Sequence, residues 1–538
     1  MGNSINLFHG PEVPSREVTT KYGKIVGRRM IQKSDRMVDA FLGIPFAKPP
    51  VAELRFKKPV PPEPWSDTLH ATKFASRCVQ LDPFFFVKYK LGPCSEDCLY
   101  LNVFTPVWEP PEGGFPVMVF IHGGGYCIDS AVKYGDIGIC QHLVAPHGVV
   151  VVTIQYRLGY LGFFTTGDDA CDENVALWDM TLALQWVQEN IGAFNGDKNN
   201  VTIFGQSAGG ASVDLLSLSP YSRDLFHKVV PMAGNASCEW AINNNAVEKS
   251  RLMALKNGIT ENDSHELIRR MREVPAMKLA TGLGSDTTGG KMQTTIGPRI
   301  DGDFLPKTPI ELRKEAPKKK RLTGICEAEG ILSYVIHSKK YIEEIIAERI
   351  PEYEYPNFKE LRDQALKIYL QPEERQDKDK YDHAIVKLYT DLFLASDTQT
   401  SVYENLEVEN DATYLYSFDY VNPKSFGFLI GRHLPFIAPT HCTELAYLFG
   451  VGILVDFKFN EDDNKMIGIM TQMWTNFAKY GDPNGDPSKP ESILPFQWEA
   501  ASNEHPRRYL SIKLAPEMKD PFQEGRSEFW RNLKRHLR

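Results

Sequence analysis

One stretch limits what this chain can fold into more than any other: residues 201–216, VTIFGQSAGGASVDLL. A β-branched run, a serine between glycines and a string of small residues opening a helix form the strand–turn–helix setting of a nucleophile elbow. Its G-x-S-x-G pattern falls on Gly205, Gln206, Ser207, Ala208 and Gly209. So tight a turn forces the serine into strained dihedrals and brings backbone against both flanking positions, so each needs glycine. Ser207 is thereby pushed out at the carboxyl end of its strand. A helix starting at Ala208 leaves that residue's N–H free and aims its positive dipole end at any oxyanion formed beside the serine.

The neighbouring sequence predicts the sheet that carries this turn. The apolar runs 115–121 and 149–154, with helical sequence between them, read as strands of a parallel sheet covered on both faces. The first ends in His122, Gly123, Gly124 and Gly125, where the lack of Cβ atoms lets backbone N–H groups approach a developing oxyanion. Residues 174–191 place Leu177, Met180, Leu184, Val187 and Ile191 at helical spacing, giving one apolar face. Upstream, the segments 23–27 and 38–44 predict a small antiparallel start, and the prolines between 45 and 64 an extended, wrapped segment. The order is that of a doubly wound α/β sheet, whose ligands bind outside the carboxyl ends of the strands. From about 331 to 430 the sequence is helical and charged, with no Pro/Gly linker long enough to release a domain. The expectation is one domain over 1–538 with a helical lid inserted.

A serine hydroxyl needs a histidine to take its proton and a carboxylate to orient that histidine. In a sheet of this kind the partners follow the serine in the order acid, then histidine. The short strand 322–326 delivers Glu327 and Glu329 at its end, with Gly330 permitting a sharp turn, and spacing does not separate the two. His433 and His441 share a Gly- and Pro-rich loop before the apolar segment 445–449, and again both stand as candidates.

Composition narrows the partners. A net charge of −8 over 538 residues gives no support for nucleic acid or an anionic membrane, and the basic run 318–321 reads as a solvated loop before a strand. No apolar run approaches the roughly 18 residues of a membrane span. The first twenty residues lack the basic start and apolar core of a secretory signal, so the chain either stays in the cytosol, the expected location, or is a secreted chain with its signal trimmed. Gly2 follows Met1 as at an N-myristoylation site, but Asn6 stands where Ser or Thr is required. Nine cysteines without metal-type spacing read as mostly reduced thiols, and no metal or organic cofactor is implied.

Nearly the whole chain resembles the type-B carboxylesterase/cholinesterase family of α/β-hydrolases. The matching stretches are 41–47 (FLGIPFA) with 54–56 (LRF), 95–103 (SEDCLYLNV), 156–159 (YRLG) with Gly162 and Phe163, 204–210, 301–306 (DGDFLP) and 474–484. The resemblance implies a serine esterase with Ser207 as nucleophile. It selects Glu329, whose place before a glycine after a strand matches the family's acid, and His441, which precedes x-x-Glu and an aromatic-Phe-Gly. It makes Gly124, Gly125 and Ala208 the oxyanion donors, and pairs Arg55 with Glu96 and Arg157 with Asp179. It also puts Cys78 and Cys98 where secreted members close a loop disulfide; the expectation is sulfurs near enough to bond, kept reduced in the cell. Three sequons, at Asn200, Asn235 and Asn262, matter only on the secretory route.

Three departures bear on substrate. Cys442 replaces the usual glycine after the histidine, Gln206 replaces a common glutamate before the serine, and the segment 78–98 has Phe84, Phe85, Phe86 and Tyr89 but no tryptophan. Cholinesterases hold quaternary ammonium with such a tryptophan and a nearby glutamate. The reading is therefore an enzyme of neutral, small-molecule carboxylic esters. Two other readings stand beside it: a catalytically silent adhesion or signalling member of the same fold, and a lipase of longer-chain esters.

Overall fold

The computed structural model describes residues 13–31, 36–82, 91–283, 285–286, 293–336, 341–408, 412–426, 434–452 and 457–535. Strand alternation explains its layers. Along the apolar run Phe115–Ile121, Val117, Val119 and Ile121 pack into one core, while Met118 and Phe120 pack into another. A strand apolar at every position is thus buried on both faces, as the period-2 geometry of a covered parallel sheet requires.

In chain order the main strands are β1 (Val13–Thr20), β2 (Gly23–Ile31), β3 (Met37–Pro45), β4 (Tyr100–Pro106), β5 (Phe115–Ile121), β6 (Val150–Ile154), β7 (Gly196–Gln206), β8 (Lys228–Met232), β9 (Lys320–Cys326), β10 (Thr413–Phe418), β11 (Tyr509–Ile512) and β12 (Glu517–Lys519). They lie side by side as β1-β2-β3-β4-β6-β5-β7-β8-β9-β10-β11-β12. From β6 to β11 every neighbour is parallel. The antiparallel pairings are confined to the two ends. This is the α/β-hydrolase arrangement expected from the sequence, antiparallel start included.

Helices cover both faces. α1 (Val175–Asn190) and α2 (Ala208–Leu218) contribute to one core. The other is closed by a long helix over Glu461–Tyr480, through Met466, Met470, Met473, Trp474 and Phe477. α1 buries more than the single face its spacing predicts, since Asp179, Thr181 and Asn190 are buried as well. Each has a polar partner: Asp179 pairs with Arg157, Thr181 Oγ1 donates to Leu177 O at 2.8 Å, and Asn190 Nδ2 donates to Trp186 O at 2.9 Å.

Between β9 and β10 run α3 (Gly330–Ile336), α4 (Ile342–Arg349), α5 (Phe358–Tyr369), α6 (Lys378–Thr390) and α7 (Ser396–Glu407). Ile342, Ile346, Ala365 and Leu388 of this region form a third apolar cluster with Trp530 and Leu533. The helical stretch is shorter than the expected 331–430, because residues 413–418 (TYLYSF) form β10 inside the sheet. Six residues rich in aromatics, buried at nearly every position, suit a central strand and are too few for a stable helix. The basic run 318–321 also differs from expectation. Arg321 is buried and paired with Asp214 at 2.7 Å, because β9 begins inside that run.

Candidate active site

The elbow is built by register. Gly205 of β7 lies opposite Ile121 of β5, and Gln206 lies opposite Met232 of β8, so Ser207 leaves the sheet between the ends of two neighbours. Its backbone sits at φ 59°, ψ −127°. A non-glycine residue held there costs about 1–3 kcal/mol. Two hydrogen bonds pin it: Ser207 N–H donates to Met232 O at 2.9 Å, and Ala211 N–H donates to Ser207 O at 2.9 Å. A Cβ at Gly209 would stand 2.1 Å from Ile121 O, and one at Gly205 would stand 2.6 Å from the same oxygen. Close backbone approach therefore dictates both glycines.

His441 lies between Ser207 and Glu329. Its Nε2 is 2.8 Å from Ser207 Oγ, and its Nδ1 is 2.6 Å from Glu329 Oε2. The other carboxylate oxygen, Oε1, accepts the Cys326 backbone N–H at 2.7 Å, which fixes the acid from the end of β9. All three side chains are buried. Glu327 is exposed and is not bonded to His441. His433 lies outside the described residues. Gly330 owes its place to crowding and not to an unusual turn: a Cβ there would be 2.1 Å from Val386 O of α6. Its N–H donates to Thr390 Oγ1 at 2.9 Å, tying the turn to that helix.

A second buried carboxyl stands behind the first. Glu444 Oε2 accepts the Cys326 thiol at 2.9 Å. Burial first, and then the charge of Glu329, hold the Glu444 carboxyl well above the usual carboxylate range.

On the other side of the serine, Gly124 and Gly125 take φ of +90° and +59°. A Cβ at Gly124 would fall 2.2 Å from Ile128 O, so this loop turns under the site only as glycine. Tyr156, which stacks on His122 at 4.4 Å, donates its hydroxyl to His122 O at 2.8 Å and holds the loop from beneath. The Ala208 N–H opens α2 at the same place. The arrangement can take a proton from a hydroxyl and stabilise an oxyanion on backbone N–H groups.

Sequence reasoning missed the apolar wall. Phe393 lies 5.3 Å from the His441 ring, and Trp240 donates its indole N–H to Phe393 O at 3.2 Å. Leu283 lies over Gly125, its Cδ2 3.1 Å from where a Cβ would be. These residues come from three distant segments with no motif, so only folding brings them together. Among the described residues no cluster of His, Cys, Asp and Glu is arranged to hold a metal.

The model of the carboxylesterase family matches residues 14–530. The chain belongs to the carboxylesterase family. It is 39% identical over 531 residues to esterase cest-33 of Caenorhabditis elegans, covering 96% of this chain and 94% of that protein. It is 32% identical over 552 residues to carboxylesterase 3 of Homo sapiens, covering 97% and 91%. Neuroligin-3 of Mus musculus is 29% identical over 608 residues, covering 99% of this chain and 70% of that protein. Family and relatives make this chain a carboxylic ester hydrolase, and a serine acyl-enzyme mechanism is general to carboxylesterases.

In this carboxylesterase both ion pairs drawn from the resemblance are present. Arg55 meets Glu96 at 2.5 Å, and Arg157 meets Asp179 at 2.6 Å, each with a second hydrogen bond from Nε. Arg157 joins the segment after β6 to α1, and Arg55 also donates to Val274 O at 2.6 Å, so they lock loops near the site onto the core. Cys78 and Cys98 are joined as a disulfide, with Cα atoms 5.0 Å apart, inside the range a disulfide spans. Of the departures, the aromatic residues 84–86 and 89 lie outside the described residues, as does Gly2. Cys442 adopts φ 72°, ψ 0°, the left-handed conformation in which glycine would be unstrained.

Proposed function

We propose that this protein is a serine carboxylesterase that hydrolyses neutral carboxylic esters through an acyl-enzyme on Ser207. The observation that carries the reading is the buried line Ser207 Oγ, His441, Glu329, with separations of 2.8 and 2.6 Å. Ser207 Oγ attacks the ester carbonyl carbon as its proton passes to His441 Nε2. Glu329 holds the Nδ1 proton and stabilises the imidazolium, while the N–H groups of Gly124, Gly125 and Ala208 receive the oxyanion. The imidazolium gives its proton to the leaving alcohol. Water then repeats the sequence on the acyl-enzyme and frees the acid and Ser207.

Gln206 and the absence of tryptophan between Cys78 and Cys98 favour a neutral alcohol over choline, because position 206 supplies no negative charge and that segment no indole face to an ammonium. Phe393, Trp240 and Leu283 would offer apolar surface to the ester beside His441 and Gly125. The helices between Ile342 and Glu407 are read as a lid built into a single domain, a reading supported by Phe393 reaching His441 from that region. A cytoplasmic location is inferred from the sequons, whereas the Cys78–Cys98 bridge of the structure speaks against it. Asn235 is fully buried, Asn200 donates through Nδ2 to Lys479 O at 3.2 Å, and Asn262 alone of the three is exposed. No described helix is long and apolar enough to cross a membrane.

A fluorophosphonate probe tests the central reading. Labelling of the wild type and its loss in Ser207→Ala are expected. A folded wild type that stays unlabelled would point to the catalytically silent alternative. Activity against 4-nitrophenyl esters of graded acyl length separates carboxylesterase from lipase, and mapping of thiols in protein from its native source tests the compartment: a quantitative Cys78–Cys98 bridge there would overturn the cytoplasmic reading.

A further inference from the structure

Two of the departures from the family pattern touch one another. The Cys442 Sγ lies 3.2 Å from Gln206 Oε1, in position to donate its S–H. The opposite end of that amide, Gln206 Nε2, lies 3.4 Å from His441 Nε2 and 3.5 Å from His441 Nδ1. Both ring nitrogens already have partners, Ser207 and Glu329. In the ring plane, equal separation from both nitrogens would force Nε2 against Cε1, so the amide rests on the face of the imidazole.

We infer that Cys442 and Gln206 act as one positioning device, in which the thiol fixes the orientation of the Gln206 amide and the amide N–H groups hold the His441 ring in line between Ser207 and Glu329. The backbone supports this. Cys442 keeps a left-handed conformation that glycine would occupy without strain, and such strain persists where a side chain is needed. Gln206 is almost fully buried, so its amide has few alternative partners. Burial pushes the Cys442 thiol up, so it keeps the proton it donates. The titratable groups around the device are Glu329 and Glu444 on the His441 side, and Lys133 with Asp129, a pair at 3.2 Å, on the Cys442 side. A glutamate at 206 would put a second carboxylate against the imidazole. The amide leaves Glu329 as its sole carboxylate partner among the described residues.

The inference rests on the Ser207–His441–Glu329 reading, and Cys442→Gly tests it separately. Glycine removes the thiol and relieves the backbone, so a merely structural Cys442 predicts an equal or higher Tm with unchanged kinetics. The expected result with 4-nitrophenyl butyrate is an equal or higher Tm but a kcat lower by roughly tenfold with KM little changed. A released amide can turn its carbonyl oxygen to the ring and favour the imidazolium. The acid limb of the kcat/KM profile should therefore move up by roughly half a pH unit. Gln206→Ala added to Cys442→Gly should cost little more than either alone, because the two act as a unit. Cys442→Ser, whose hydroxyl can donate to the same oxygen, should recover most of the activity lost in Cys442→Gly. Wild-type kcat and pH profile in Cys442→Gly, or losses that multiply in the double variant, would overturn the device. An unlabelled wild type with the fluorophosphonate probe would overturn the triad reading and the device together.

Discussion

The two halves of the candidate site each carry a buried carboxyl outside the proposed triad, and the two are pushed in opposite directions. On the nucleophile side, Asp214 of α2 meets Arg313 at 3.0 Å and Arg321 at 2.7 Å. Burial alone would push its carboxyl up, but the two guanidinium groups overcome that and hold it far below the usual range. On the acid–base side, no arginine among the described residues pairs with Glu444, which faces Glu329, so burial and like charge act together and its carboxyl is held up. The first is a fixed anion that anchors the elbow helix; the second is pushed toward its protonated form beside Glu329. The backbone follows the same division. The elbow is constrained chiefly by sterics, with Gly209 facing Ile121 O, whereas Glu329 and His441 are placed by hydrogen bonds, from the Cys326 N–H to Glu329 and between the acid and the imidazole.

Substitutions at the two halves should therefore fail in different ways. The largest effect belongs to the acid: Glu329→Gln should fold with a wild-type melting transition and lose about 10⁴ in kcat, since the imidazole loses its orienting charge. Glu327→Gln should leave kcat unchanged within twofold or so. If Glu327→Gln were the damaging change, the assignment of the acid would be wrong.

On the nucleophile side the loss should be of fold. Asp214→Asn leaves Arg313 and Arg321 buried beside a neutral amide and should cost about 3–5 kcal/mol in urea unfolding. In the wild type, Asp214 is ionised in the folded protein below the pH at which it protonates when unfolded. Its contribution is therefore complete above the ordinary value of 3.8 and is lost as pH falls from there toward the folded value. The variant should show a flatter decline of stability over that acid range. An equally steep decline would mean that other carboxylates carry it.

Substrate charge gives a smaller expected difference. Removing a cation–π partner and a carboxylate is worth about 1–2 kcal/mol, so the neutral butyrate ester should exceed the choline ester in kcat/KM by roughly tenfold. Equal use of both would break the link between Gln206 and alcohol preference.

The smallest effect tests the second carboxyl. Because Glu444 is protonated in the folded protein at pH values where it ionises when unfolded, it makes stability fall as pH rises from about 4.5 toward the folded value. Glu444→Gln should remove a slope of at most about 1.4 kcal/mol per pH unit across that window, measured by urea titration at several pH values. A slope that survives the substitution would mean that Glu444 is ionised like Asp214, and the contrast between the halves would vanish.

What the sequence determined by itself is local. The elbow, the glycine loop and the apolar strands are legible because each is set by contacts within a few residues or by strand periodicity. At Gly205 and Gly209 no side chain fits, and the motif records that directly. The resemblance to a family added Glu329, His441 and the ion pairs, which spacing left among alternatives. Tertiary structure decided the rest. It put Thr413–Phe418 into the sheet although the preceding residues are helical, because β9 offered that run a parallel partner. It turned Gly330 from a turn residue into a point of helix contact, buried Arg321 against Asp214, and brought Cys442 to Gln206 across 236 positions of chain. Such contacts depend on the free energy of burying groups distant in sequence, which no window of neighbouring residues contains.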